Sequence, residues 1–305
     1  MRKQSSVDVF LWFLLAAMWS SSYAVIKVGV GTLDPSILVL GRMLVGSLVI
    51  YAALKVCGMA LSRNGRDWVS YTVTGLLGSA LPFLLITFGE QTVDSALASI
   101  LMGIAPMATL LLAAAMVPEE ALTLRTTLGV LGGLCGVVVL VGPTALAGIG
   151  AQLVGQLSIV GATLCYAAST VYIRRFVNRP ALEMAAGSMI VGTLFMSGVV
   201  LLSGADVRTI EPTFSSLGAI IYLGLFSTAG ANLIYFYLVP RLGATRMSQV
   251  NFAVPVGGAL LGAVLLNEAI TLQRLIALSL IIFSVYIGTT KGRSSKERGH
   301  NGSRV

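Results

Sequence analysis

Gly75-Leu-Leu-Gly-Ser-Ala-Leu-Pro-Phe-Leu-Leu85 and Gly224-Leu-Phe-Ser-Thr-Ala-Gly-Ala-Asn-Leu-Ile234 are the two stretches whose comparison decides the fold. Laid over one another without gaps, they pair Gly75 with Gly224, Leu76 with Leu225, Ala80 with Ala229 and Leu84 with Leu233. Carried on to Arg125 and Arg274, the same shift pairs Ser99 with Ser248, Pro106 with Pro255, Glu119 with Glu268 and Arg125 with Arg274. Shared Leu and Ala carry little weight in sequence this apolar. A proline and an acid held in register carry more. A slightly different offset lays Trp19-Ser-Ser-Ser-Tyr-Ala-Val-Ile-Lys27 over Tyr166-Ala-Ala-Ser-Thr-Val-Tyr-Ile-Arg174. The chain reads as an internal repeat.

The repeat is written in the composition of a membrane protein. Of 305 residues, 56% are hydrophobic and only 10% charged, with a mean hydropathy of +0.90. Soluble domains carry about 25% charged residues, which excludes a water-soluble globule. The net charge of +8 does not point to nucleic acid. Its basic residues sit in short gaps between apolar runs and in the C-terminal tail, where membrane topology retains Lys and Arg. Cys57, Cys135 and Cys165 lie far apart in apolar runs, and the one histidine, His300, is in the tail. No metal site, disulfide framework or His-based catalytic set can be assembled from these residues. No cofactor and no catalytic residue is expected.

A bilayer core of about 30 Å takes roughly 20 apolar residues per helix. Runs of that kind occupy Val9–Val30, Pro35–Cys57, Trp68–Phe88, Ser95–Val117 and Leu124–Gly142. After the Gly/Ala-rich stretch Pro143–Gly155 they resume at Leu157–Val177, Met184–Leu202, Leu217–Val239, Ala244–Leu266 and Leu272–Gly288. The first run follows Arg2 and Lys3 in the manner of a signal peptide, but it continues to Val30 and the repeat requires it. It reads as a retained helix. The expected fold is therefore an all-α integral membrane protein of ten transmembrane helices. Residues 1–150 form the first five-helix repeat, 151–290 the second, and 291–305 a disordered cytoplasmic tail.

Charge in the gaps sets orientation. With the N-terminus inside, the cytoplasmic gaps hold Lys55, Arg63, Arg66, Arg125, Arg174, Arg175, Arg179, Arg241 and Arg246. The opposite side holds Asp34, Asp94, Asp206, Glu211 and Glu268 against Arg208 and Arg274. Both termini are placed in the cytoplasm by this asymmetry. Five spans per half is an odd number, so the second half must be inverted relative to the first, and a site near the midplane is expected between them.

Polar residues inside the spans are the site candidates. Lys27 and Arg42 stand where a charge costs about 2.5–3.5 kcal/mol on insertion scales, and both fall toward the outer half of the membrane. They suit attraction of a carboxylate or phosphate. The structural alternative is that Lys27 snorkels to the interface and Arg42 binds helix-end carbonyls. Trp19, Ser20, Ser22, Tyr23 and Lys27 are expected close to one face of the first helix, lining a cavity wall. Tyr166 and Ser169 are their repeat counterparts. Asn232, Tyr235 and Asn251 are polar positions in otherwise apolar runs, and they read equally as solute contacts or as helix–helix hydrogen bonds. Pro106 and Pro255, placed mid-helix, are expected helix breaks or hinges. Glu119 and Glu268 stand beside Thr123 and Thr271 and read as helix caps. Gly129–Gly133, Gly132–Gly136 and Gly258–Gly262 read as close helix packing.

This set resembles the EamA-type members of the drug/metabolite transporter superfamily. The residues that carry the likeness are Trp19 to Lys27, Pro35, Arg42, Pro106, Glu119 and their second-half counterparts Pro255 and Glu268. The resemblance spans about Val9 to Gly288. It implies a ten-helix fold, a central cavity and export of amino acids or related metabolites through an inner, multi-pass membrane. One position departs from the symmetry, since Met189 stands where Arg42 would map. The expected function is thus a secondary transporter working by alternating access, with a small, carboxylate-bearing solute and the lipid bilayer as partners. No GxxxxGK[ST] motif supplies an ATP engine. A membrane-embedded enzyme and a structural membrane protein are the alternatives. The first lacks buried His or Asp, and the second has no use for a duplicated polar cavity. Facilitated diffusion and proton-coupled antiport both fit the sequence.

Overall fold

The computed structural model describes residues 5–93, 98, 101–120, 122–141, 149, 152–203, 213–257 and 272–289. Every regular element among them is helical. In chain order these are α1 (Ser6–Val30), α2 (Pro35–Val56), α3 (Gly65–Gly89), α4 (Ala105–Met116) and α5 (Leu124–Val141). They continue with α6 (Leu153–Phe176), α7 (Ala181–Ser203), α8 (Phe214–Leu242), α9 (Ala244–Ser248) and α10 (Leu272–Thr289). After a turn at Gln249, the helical residues 250–257 prolong α9. Among the described residues, α1, α2, α3, α6, α7 and α8 are each long and apolar enough to cross a membrane, and α4, α5 and α10 are shorter apolar helices. Glu268, Thr271, Gly258–Gly262, the acids Asp94, Asp206 and Glu211, Arg208 and the tail lie outside the described residues.

The helices begin where side chains satisfy free N–H groups. Ser5 and Asp8 form a reciprocal capping box on α1. Asp34 caps α2, with Pro35 fitting the first turn, where no donor is needed. Asn64 caps α3 and Thr213 caps α8. Thr123 caps α5 by accepting from the Thr126 N–H at 3.2 Å. Glu119, expected to share that role, is exposed instead. Adjacent acids after Pro118 present different faces, and it is Glu120 that turns inward.

Apolar side chains cover the outside of the bundle as well as its core. Phe10, Phe13, Leu48, Leu194 and Phe283 are exposed, which is the arrangement of helices solvated by lipid. The main core joins α1, α2, α3, α7 and α8 through Leu15, Met43, Tyr71, Met189 and Leu238. Without a hydrophobic drive between helices in lipid, small residues let the backbones approach. Gly75 of α3 lies on the Ser188 carbonyl of α7, and Gly192 of α7 faces the Gly75 carbonyl at 3.0 Å from its ideal Cβ position. Gly132 and Gly136 meet Ser284 and Ile281 where α5 packs on α10.

Two helices share a backbone irregularity. Leu76–Ala80 in α3 and Leu223–Gly230 in α8 are π-helical, with wide i→i+5 turns. They fall on the positions that the Gly75/Gly224 register brings together. Pro106 is not mid-helix as the sequence suggested. It stands in the first turn of α4, after a turn at residues 103–104, because a proline ring is tolerated there and not four residues into a regular helix. Pro255 sits within helical residues 250–257.

Candidate functional site

A small cavity, partly open to solvent, lies between the helices. Trp19, Ser22, Tyr23 and Ile26 of α1 line it, with Arg42 of α2 and Phe83 and Ile86 of α3. Met102, Tyr166 of α6, and Asn251 and Val254 complete the wall. The α1 residues follow steps of three and four, which stack side chains on one face. Lys27, although four residues on from Tyr23, does not line the cavity. It is exposed, so the expected common face of Trp19 and Lys27 is corrected here.

Trp19 and Tyr166, paired by the repeat, meet across the cavity floor with ring centroids 6.1 Å apart. Tyr235 of α8 packs on the other side of Trp19 at 5.8 Å and hydrogen-bonds the Thr170 hydroxyl. Ser169 is fully buried, with its hydroxyl beside Gly78 rather than in the cavity. Asn232 donates to the Thr228 carbonyl at 3.0 Å, within α8. Asn251 lines the cavity while donating to the Ser248 carbonyl at 2.9 Å.

Arg42 is the charged group of the wall, and it is 3% exposed. Its Nε donates to the Thr228 hydroxyl at 2.9 Å and its Nη2 reaches the Ser227 carbonyl at 3.5 Å, both in the π segment of α8. Its guanidinium lies 4.1 Å from the Phe83 ring centroid. No carboxylate among the described residues is within ion-pair distance of it. A guanidinium has five donors in a planar fork, and these contacts leave several directed elsewhere. The arrangement can receive an anion.

The opposite end of the bundle is tied by ions. Arg241 pairs with Asp8 at 2.9 Å, and Arg179 bridges Glu183 at 2.8 Å and Asp67 at 3.5 Å. Tyr71 donates to Glu183 at 2.5 Å. Glu120 accepts from the Ala244 N–H at 2.7 Å, the Thr245 N–H at 2.9 Å and Arg174 at 3.2 Å, so it caps α9 and joins α4 to α6. Sequence reasoning missed Glu120 and also Phe83. The positive φ of Gly243, which aims α9 at Glu120, was the available signal in the form of a glycine between two helices.

Comparisons place this architecture. A crystal structure of another protein superposes with a TM-score of 0.76 at 23% identity, covering 94% of this chain and 98% of that one. An uncharacterized transporter of Archaeoglobus fulgidus is 24% identical over 92% of this chain and 99% of its own length. The uncharacterized inner membrane transporter YedA of Escherichia coli K12 is 27% identical over 91% and 89%. A probable terminal-alkyne amino-acid exporter of Streptantibioticus cattleyicolor is 27% identical over 86% of each chain. The profile of the EamA-like transporter family matches twice, over residues 8–142 and 153–290. Membrane-length helices, a cavity between them and a family match across both halves make this chain a multi-pass membrane protein of the EamA-like transporter family.

Proposed function

We propose that the chain is a secondary transporter of the inner membrane that exports small carboxylate-bearing metabolites, amino acids among them, by alternating access. The observation that carries this reading is Arg42, buried in the cavity wall with no carboxylate within ion-pair distance among the described residues. A buried guanidinium is costly without an anion, and a carboxylate matches its fork in two parallel hydrogen bonds. The relative named as an amino-acid exporter supports the solute class.

Flux of 3-phenylpropanoate and of its neutral amide into proteoliposomes tests the reading. Arg42→Gln is expected to weaken the carboxylate about tenfold, the cost of a lost charge-assisted hydrogen bond, and to leave the amide near wild type. Arg42→Lys should recover only part, because a point charge lacks the planar fork. Equal behaviour of both solutes in Arg42→Gln would return Arg42 to the role of an anchor for α2 on α8.

The reading includes ten spans in two inverted halves, residues 1–150 and 151–290, with both termini and the tail 291–305 in the cytoplasm. Positive charge in the gaps and the gathering of the ion pairs at one end support it. Reporter tags at both termini are expected to report cytoplasm and a tag at Ala147 the opposite side. A tag at Ala147 that reports the same side as the C-terminus rules the inversion out.

A further inference from the structure

One buried acid has no part in the solute reading so far. Glu90 is the first residue beyond α3, only 5% exposed, and neither of its carboxyl oxygens has a hydrogen-bond partner among the described residues. The Thr87 hydroxyl, one turn back, is likewise buried without a partner among them. Glu90 donates its N–H to the Ile86 carbonyl at 2.8 Å, so it stands one helical turn from a residue of the cavity wall and on the same face. Acids elsewhere in the described bundle are satisfied differently. Asp8, Asp67, Glu120 and Glu183 pair with arginines at the other end.

The groups around Glu90 come from several helices. Lys27 of α1 and Arg42 of α2 are the cations whose charge acts on it, and Tyr23 of α1 lies near enough to feel its own. α6 touches the adjoining Gly89 through Gly155 and Ile159, and its Tyr166 lies near Tyr23 and Arg42. Ala98 and Met102 belong to the apolar cluster around Ile86, one turn from it. Asp94 lies outside the described residues. The two cations favour an ionised carboxylate, but neither is within ion-pair distance. Burial without donors favours the neutral acid.

We propose that Glu90 is the proton-binding site of this cavity, and that it takes up one proton when an anionic solute settles against Arg42. The second part rests on the carboxylate reading above. The physical link is charge. With Glu90 ionised, an incoming carboxylate meets a like charge one helical turn behind the cavity wall. With Glu90 protonated, that repulsion is gone and Arg42 is left to the solute. Binding of either therefore favours binding of the other, and the relation is reciprocal. The proton comes from the water to which the cavity is open, and it leaves when the solute leaves and the carboxyl ionises again. Glu90 thus ties occupancy of the cavity by the solute to its own protonation.

Infrared titration of the full chain in nanodiscs, with no solute present, tests the site apart from the solute reading. The band of a protonated carboxyl, identified by its loss in Glu90→Gln and its displacement in Glu90→Asp, is expected to persist above about pH 6, well past the ordinary glutamate value of about 4.3. A Glu90 band that disappears near the ordinary value overturns the proposal. Adding 3-phenylpropanoate is then expected to strengthen the band at pH values where it has partly faded. Its affinity should tighten by up to about tenfold per pH unit as pH falls through that window, while Glu90→Gln binds with no pH dependence. A bound probe that leaves the band unchanged overturns the coupling. Failure of the probe to bind at all counts against the Arg42 reading and leaves the solute-free titration to decide the proton site.

Discussion

Gly75→Val is expected to leave little folded protein in the membrane. Any β-carbon at position 75 is driven into the Ser188 carbonyl oxygen and stands 3.2 Å from the Gly192 nitrogen. Those atoms are backbone and cannot rotate aside, so α3 and α7 must separate along their whole contact. Overpacking in a close-packed interior costs about 1–3 kcal/mol when side chains can yield. Here they cannot, and the loss is expected to exceed about 3 kcal/mol. Gly65→Ala is the matched control, because nothing lies within 4 Å of its added methyl. Thermal unfolding in detergent, read beside yield, compares the two. Equal melting of Gly75→Val and wild type would mean that the α3–α7 crossing is not this close.

Glu120→Ala is expected to lower stability by about 3 kcal/mol, the combined scale of a lost helix cap and a broken, mostly buried ion pair. The substitution strands the N–H groups of Ala244 and Thr245 at the head of α9. It also removes the carboxylate from Arg174, which keeps the Pro240 carbonyl at 2.9 Å. Glu120→Gln should retain roughly half of the effect, since its amide oxygen still accepts from one backbone donor. Calorimetry or a fluorescence melt in detergent ranks the three proteins. An order in which Gln is no better than Ala would show that the charge, rather than the capping geometry, holds this end together.

What the sequence revealed was the part written locally. Apolar run length located the long helices, and a gap-free register located the repeat. The aligned pair Trp19 and Tyr166 turned out to touch, as repeat partners on facing elements do. The three- and four-residue steps from Trp19 traced the cavity stripe of α1 but were carried one residue too far, to Lys27. Arg42 stood out because a charge in an apolar run is costly. Its contacts with Ser227 and Thr228 come from another helix, and no spacing rule reaches that far. The choice between Glu119 and Glu120 depended on which carboxylate meets the start of α9, a tertiary fact. The burial of Glu90 is likewise a property of the assembled bundle.

The π segments of α3 and α8 have a consequence for how such a bundle can move. A wide turn is to a helix what a dislocation is to a crystal. It holds one residue more than its neighbours, so the rest of the helix is out of phase by about 100°, one residue's rotation. Metals deform at modest stress because a dislocation glides through the lattice one row at a time, instead of whole planes slipping at once. A helix with such a defect can likewise turn one end relative to the other by exchanging hydrogen bonds a single turn at a time. Here the defect in α8 holds the carbonyl and hydroxyl that Arg42 grips, so glide in that helix and the position of the guanidinium are one coordinate.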